Sequence, residues 1–164
     1  MSKNYEGFTL GLAIFDALPV LLFGASMLTI GLGWGSPLFL AGAGLAVLAG
    51  MMKVTWKLIL GATHRDVTWL NRPFRYLMAA GFLLMLAAVI AGSVTGSLDW
   101  RAIGAKIIAL PQVIFFALWL LGLTVMGVLG KKLDSSVARN NWIEQSVNTA
   151  AQLCGLIGIL LSLK

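Results

Sequence analysis

The chain has 164 residues, of which 59% are hydrophobic and 11% charged, with a net charge of +6. Soluble domains run near ~25% charged, so a soluble enzyme, a disordered tail and a coiled coil are excluded. What remains is a small polytopic membrane protein, and the excess positive charge bears on orientation and anionic headgroups rather than on nucleic acid.

A bilayer core of ~30 Å needs about 20 apolar residues per helix, and the sequence offers five such stretches. The first spans residues 7–31. Its apolar part is too long for a signal peptide, so it is expected to be a retained span. The second spans 37–60, with Ser36 as N-cap and Pro37 at the first helical position. The third spans 73–94, the fourth 100–129 behind Asp99 as cap, and the fifth 140–163. The expected fold is an all-α integral membrane protein, a single compact bundle of five transmembrane helices without a soluble domain.

Basic residues orient the bundle. Lys3, Lys53, Lys57, Arg65, Arg72, Arg75, Lys131, Lys132 and Arg139 fall at one set of span ends, and Arg101, Lys106 and Lys164 at the other. The positive-inside rule makes the first set cytoplasmic. The N-terminus is then inside and the C-terminus outside, in a plasma (inner) membrane. Trp34, Trp69, Trp100 and Trp142 lie at span ends, as an aromatic belt requires.

Several chemistries are excluded by count. Cys154 is the single cysteine and His64 the single histidine. The chain alone therefore builds no intrachain disulfide, bis-histidine haem or HExxH zinc site. Its six acids stand no closer than ten positions apart, so no helix carries a carboxylate pair. No catalytic residue, metal ligand or cofactor is assigned, and the weight is against an enzyme.

Polar groups inside the spans are the informative ones, because a charge at the bilayer centre costs at least ~2.5–3.5 kcal/mol. Asp16 lies in the first span, and Lys53 and Lys57 in the last turns of the second. Glu144, Asn148 and Gln152 fall at i, i+4, i+8 on the fifth, sharing one face. Asn141 and Gln145 lie on a neighbouring stripe. By depth Asp16 is expected to pair with Lys53, and Glu144 with Lys57. Snorkelling lysines, a first-turn acid at Glu144 and amide packing glue are the bland alternatives. Pro19 and Pro111 should kink their spans and unpair the carbonyls of Phe15 and Ile107. Gln112, beside Pro111, is a polar group deep in the outer half.

The candidate binding set is thus Asp16, Lys53, Lys57, Glu144, Asn148, Gln152 and Gln112. The favoured function is binding or transport of a small polar solute or ion through a polar cluster in the cytoplasmic half, with a proton carried on Asp16. The alternative is a non-catalytic partner or assembly subunit of a larger membrane complex. Gly7, Gly11, the Ala41–Gly44 run, Gly50, Gly155 and Gly158 would then give close-packing faces for a second copy or a partner subunit. The other partners expected are membrane lipids. No motif is specific enough to name a family.

Overall fold

The computed structural model describes residues 9–134 and 137–163, and all of its regular structure is helical. Helices α1 (Leu10–Phe15) and α2 (Ala17–Gly33) form one rod interrupted at Asp16. Thr9 caps it, its hydroxyl accepting from the Leu12 amide at 3.3 Å. The interruption follows from Pro19, which has no N–H to give the Phe15 carbonyl. In the first turn of a restarted helix that missing donor costs nothing.

Gly35, at φ 58°, turns the chain into α3 (Pro37–Thr63). Ser36 caps α3 by accepting from the Phe39 amide, and Pro37 opens it. At 27 residues α3 is about 40 Å long. It ends where His64 takes a left-handed conformation, φ 56°. A single turn, α4 (Thr68–Asn71), leads into α5 (Phe74–Val94). Helices α6 (Trp100–Ile108), α7 (Gln112–Lys132) and α8 (Ala138–Ser162) complete the chain.

Four helical segments are long and apolar enough to cross a membrane: Leu10–Gly33, Pro37–Thr63, Thr68–Val94 and Gln112–Lys132. The first three match the expected spans, residues 7 and 8 lying outside the described part. The fourth differs. Residues 100–129 were expected to be one kinked helix, but α6 stops at Ile108 and α7 starts at Gln112. Pro111 breaks the rod because it removes a donor and its ring crowds the preceding turn. The nine residues of α6 reach only about 13 Å, whereas α7, at 21 residues, reaches about 31 Å. The fifth expected span corresponds to α8, which is 25 residues long but does not reach the apolarity of the other four.

The helices lie in a row. α5 packs on α3, α3 on α2, α2 on α8, and α8 on α7, while α1 touches α3 and α8. Glycines set the closest approaches. A Cβ on Gly42 would stand 2.7 Å from the Gly81 carbonyl oxygen, so α3 and α5 meet backbone to backbone. Gly155 and Gly158 receive Trp119 and Phe116 of α7, and Gly50 receives Val20. Most glycines of the expected partner-facing runs therefore seat helices of this same chain, whereas Gly44 has nothing within 4 Å.

The core is a thin apolar layer of small and flexible side chains, among them Met27, Ala43, Ala46, Met85 and Ala88. The outside is apolar as well: Leu83, Val94, Ile108 and Leu120 stand exposed, and α7 buries no residue at all. Water would penalise such a surface, and hydrocarbon would not. A second apolar cluster, Leu12, Trp56 and Leu60, with Val67, Leu70 and Ala138 against it, gathers the start of α1, the end of α3, α4 and the start of α8. These elements share one end of the molecule, the end that carries most of the basic residues.

Candidate functional site

Asp16, Lys57 and Glu144 each stand six residues from the basic end of their helices, which begin or end at Leu10, Thr63 and Ala138. Six residues is about 9 Å of rise, so three helices deliver ionisable groups to one depth. Asp16 sits where the α1–α2 rod is interrupted. Lys57 shares the inward stripe of α3 with Ala46, Gly50 and Leu60, spaced by threes and fours.

Lys57 Nζ lies 2.8 Å from Asp16 Oδ1, and both side chains are 5% exposed. The same ammonium donates to Asn141 Oδ1 at 3.1 Å. One buried cation thus joins α1–α2, α3 and α8. The pair expected from the sequence was Asp16 with Lys53. That expectation counted depth from Gly7, but the described helix begins at Leu10, which moves Asp16 one turn nearer the basic end and level with Lys57. Lys53, a turn deeper, is half-buried and places its ammonium over the Phe74 ring, 4.7 Å from the centroid.

Glu144 does not form the expected ion pair with Lys57. It is buried beside the centre, within electrostatic reach of Lys57, Lys53 and Asp16, and its Oε1 has no hydrogen-bond partner among the described residues. Gln152 Oε1 and Thr149 Oγ1, farther along α8, are also buried and unpartnered. Asn148 lies half-buried between Glu144 and Gln152. Two acids and two lysines balance in formal charge, and α8 adds oxygen acceptors that extend from Glu144 to Gln152, about 12 Å.

The buried positions of α8 include Asn141, Glu144, Gln145, Ala151, Gln152, Gly155 and Gly158. Spacings of three and four make these one stripe. Trp142, Ile143, Leu153 and Leu160 face out. From Asn141 to Gln152 the helix is inverted relative to a soluble one, with its amides and Glu144 inside and its large apolar side chains outside.

Asn141 and Gln145, set on a neighbouring stripe by the sequence reading, are therefore part of the inward face, and Asn141 is a direct partner of Lys57. The 3–4 spacing of Asn141 with Glu144 and Asn148 carried that signal. Gln112 does not join the cluster. It starts α7 at the opposite end, where its Nε2 donates to the Leu161 carbonyl at 3.3 Å, one of the carbonyls that the end of α8 leaves unsatisfied.

The loop at the basic end is tied to the same structure. The Trp56 indole donates to Asp66 Oδ1 at 2.8 Å, and Val67 and Leu70 pack on the cluster around Leu12. The loop residues 64–67 thereby sit close below the charged centre. Among the described residues no three His, Cys, Asp or Glu side chains converge as a metal site would require. No protein-family model, curated protein or solved structure matches the chain.

Proposed function

We propose that the protein is a five-span membrane protein, with α8 as the fifth span, that binds or transports a small polar solute or ion through the cluster at Asp16, Lys57 and Glu144. The inverted face of α8 supports the fifth span, because burying amides while exposing Trp142, Ile143 and Leu153 is favourable only in an apolar surround. The concentration of lysine and arginine at the cluster's end supports a cytoplasmic position for it, which puts the N-terminus inside and the C-terminus outside.

The observation that carries the functional reading is the set of buried, unpartnered acceptors Glu144 Oε1, Thr149 Oγ1 and Gln152 Oε1. Leaving a buried acceptor unmet costs about 1–3 kcal/mol. A row of them next to a charge-balanced centre favours a species that donates hydrogen bonds or carries positive charge: a proton on water, an ammonium group or a small cation. In this reading Asp16 and Glu144 exchange the proton, Lys57 holds the counter-charge, and Lys53 adds a second positive charge one turn farther along α3.

The test is flux in liposomes containing a lumenal pH dye, under imposed proton and potassium gradients. Wild type should conduct, and folded Asp16→Asn and Glu144→Gln should each lose at least tenfold in rate. Wild-type traces equal to those of empty liposomes would overturn the transport reading.

The alternative, a partner subunit, draws support from α7, whose apolar length buries no residue in this chain. It predicts that the folded double variant Asp16→Asn with Lys57→Met keeps its biological activity.

A further inference from the structure

The charged centre is closed at the basic end by apolar side chains that repeat its own geometry. Leu12 stands four residues before Asp16 on the α1–α2 rod, Leu60 three after Lys57 on α3, and Ala138 three before Asn141 on α8. Three or four residues make one helical turn, about 5 Å of rise. Each of the three helices thus places an apolar group beneath its polar one, on the side of the basic end. Val67 and Leu70, from the segment that joins α3 to α5, pack against the same cluster as Leu12 and Leu60. We propose that this layer is a hydrophobic gate between the Asp16–Lys57–Glu144 centre and the solvent at the basic end, with residues 64–71 as its moving part. The proposal rests on the binding or transport reading of that centre and deepens it, by naming the side and the residues past which the solute or ion enters.

The layer has the chemistry of a barrier. Leu12, Leu60 and Trp56 are buried, and among the described residues of the cluster no side chain offers an ion a charge in place of its water. An apolar constriction of this kind stops ions by excluding water. The far side of the centre is different. There α8 continues with Asn148, Thr149 and Gln152, and the Thr149 and Gln152 oxygens are buried acceptors without partners. The apolar layer therefore stands on one side of the centre, between it and the basic end.

The segment is built to move. Residues 64–66, 68 and 69 are exposed, and the single turn α4 buries no residue and has no side-chain cap. His64, in its left-handed conformation, breaks the chain from α3, and Pro73 separates it from α5. Local opening is drawn from segments with few buried contacts. What holds this one shut is the packing of Val67 and Leu70 together with the bond from the Trp56 indole to Asp66 Oδ1, 2.8 Å long. Trp56 is the residue before Lys57, so the latch ties the segment to the turn of α3 that carries the buried cation.

The test is the rate at which a charged, water-soluble methanethiosulfonate reacts with Gln145→Cys in the full-length Cys154→Ser protein in detergent micelles. Gln145 is buried one residue beyond Glu144, so reagent arriving from the basic end must pass the layer. With the segment intact the reaction should be slow. Asp66→Ala and Trp56→Phe should each raise the rate about fivefold, and the two together no further than either alone. Leu70→Ser should raise it about tenfold. Asp66→Asn keeps an oxygen to accept from the indole and should stay near the parent rate. Ile159→Cys, buried toward the opposite end of α8, is the control and should react at one rate in all of these backgrounds. If Gln145→Cys does not fold, Leu12→Cys probes the layer itself with the same expectations. Rapid labelling behind the intact segment, rates that no variant of the segment changes, or rises shared by Ile159→Cys would each overturn the proposal. Labelling needs no flux, so failure of the gate and failure of the transport reading are distinguishable.

Discussion

Removal of the lysine that ties three helices together is the sharpest test of how the bundle is built. In Lys57→Met the Asp16 carboxylate, 5% exposed, loses the ammonium 2.8 Å away. Leaving a buried charge without its partner costs about 3–5 kcal/mol. For a chain of this length each kcal/mol shifts the unfolding midpoint by roughly 2–4 °C, so a fall of roughly 6–20 °C is expected. Asp16→Asn should cost less, near ~3 kcal/mol, because the lysine keeps Asn141 Oδ1 at 3.1 Å and has Glu144 within electrostatic reach. The double variant removes both charges and should return to within about 1 kcal/mol of wild type. Lys53→Met serves as the control. Its ammonium over Phe74 is half-buried, and about 0.5–1 kcal/mol is all that such a contact holds. The assay is reversible unfolding in mixed micelles, with the four variants forming a double-mutant cycle and a control. Additive effects of the two single changes, or a larger loss in Lys53→Met than in Lys57→Met, would refute the argument that Lys57 is the partner of Asp16.

Two further outcomes follow from the packing and the charge distribution. Gly42→Leu should cost about 1–3 kcal/mol or prevent assembly of α3 with α5, because the atoms it meets, the Gly81 carbonyl at 2.7 Å and the Met85 amide at 2.8 Å, are backbone and cannot swing away. Gly44→Ala, two residues on and facing open space, should be neutral or stabilising by roughly 0.5–1 kcal/mol. Micelle unfolding of the pair checks both, and equal losses would refute the backbone-contact reading of α3–α5. In a Cys154→Ser background, Arg101→Cys should react with a membrane-impermeant maleimide added outside intact cells, and Arg65→Cys should react only after permeabilisation. The reverse pattern would invert the proposed orientation.

Much of the helix pattern is legible in the sequence, because apolar runs bounded by Ser36–Pro37 and by Asp99 leave few choices. The failure at 100–129 has a local cause. Apolar composition continues through Ile107, Ile108, Ala109 and Leu110 up to Pro111, and composition does not register that the proline ends one rod and starts another. The misassigned lysine has a geometric cause. Lys53 and Lys57 differ by one turn, and pairing by depth is only as good as the helix end from which depth is counted. The Trp56–Asp66 bond was not legible: it joins a helix to a loop ten residues away, and nothing in the periodicity of either marks it.

The inversion of α8 explains why hydropathy and functional interest diverge in this chain. α7 passes every test of apolarity and yet sits at the edge of the row, touching α8 and α6, with half-buried residues such as Phe116 and Trp119 but none fully buried. α8 falls short of that apolarity and yet lies between α2 and α7, with α1 against it as well. A helix enclosed on several sides can hold Asn141, Glu144, Gln145 and Gln152 because neighbouring helices and charges meet them, while an edge helix facing hydrocarbon cannot. From Asn141 to Gln152 most of the polarity that lowers the hydropathy of α8 lies on its inward stripe, Ser146 being the exposed exception, and its outward residues Trp142, Ile143, Leu153 and Leu160 are as apolar as those of α7. The period of the polar residues, rather than their number, therefore separates a helix enclosed by its neighbours from a surface helix. In α8 that period runs unbroken from Asn141 to Gln152, over the same stretch that faces Lys57 and holds the unpartnered acceptors.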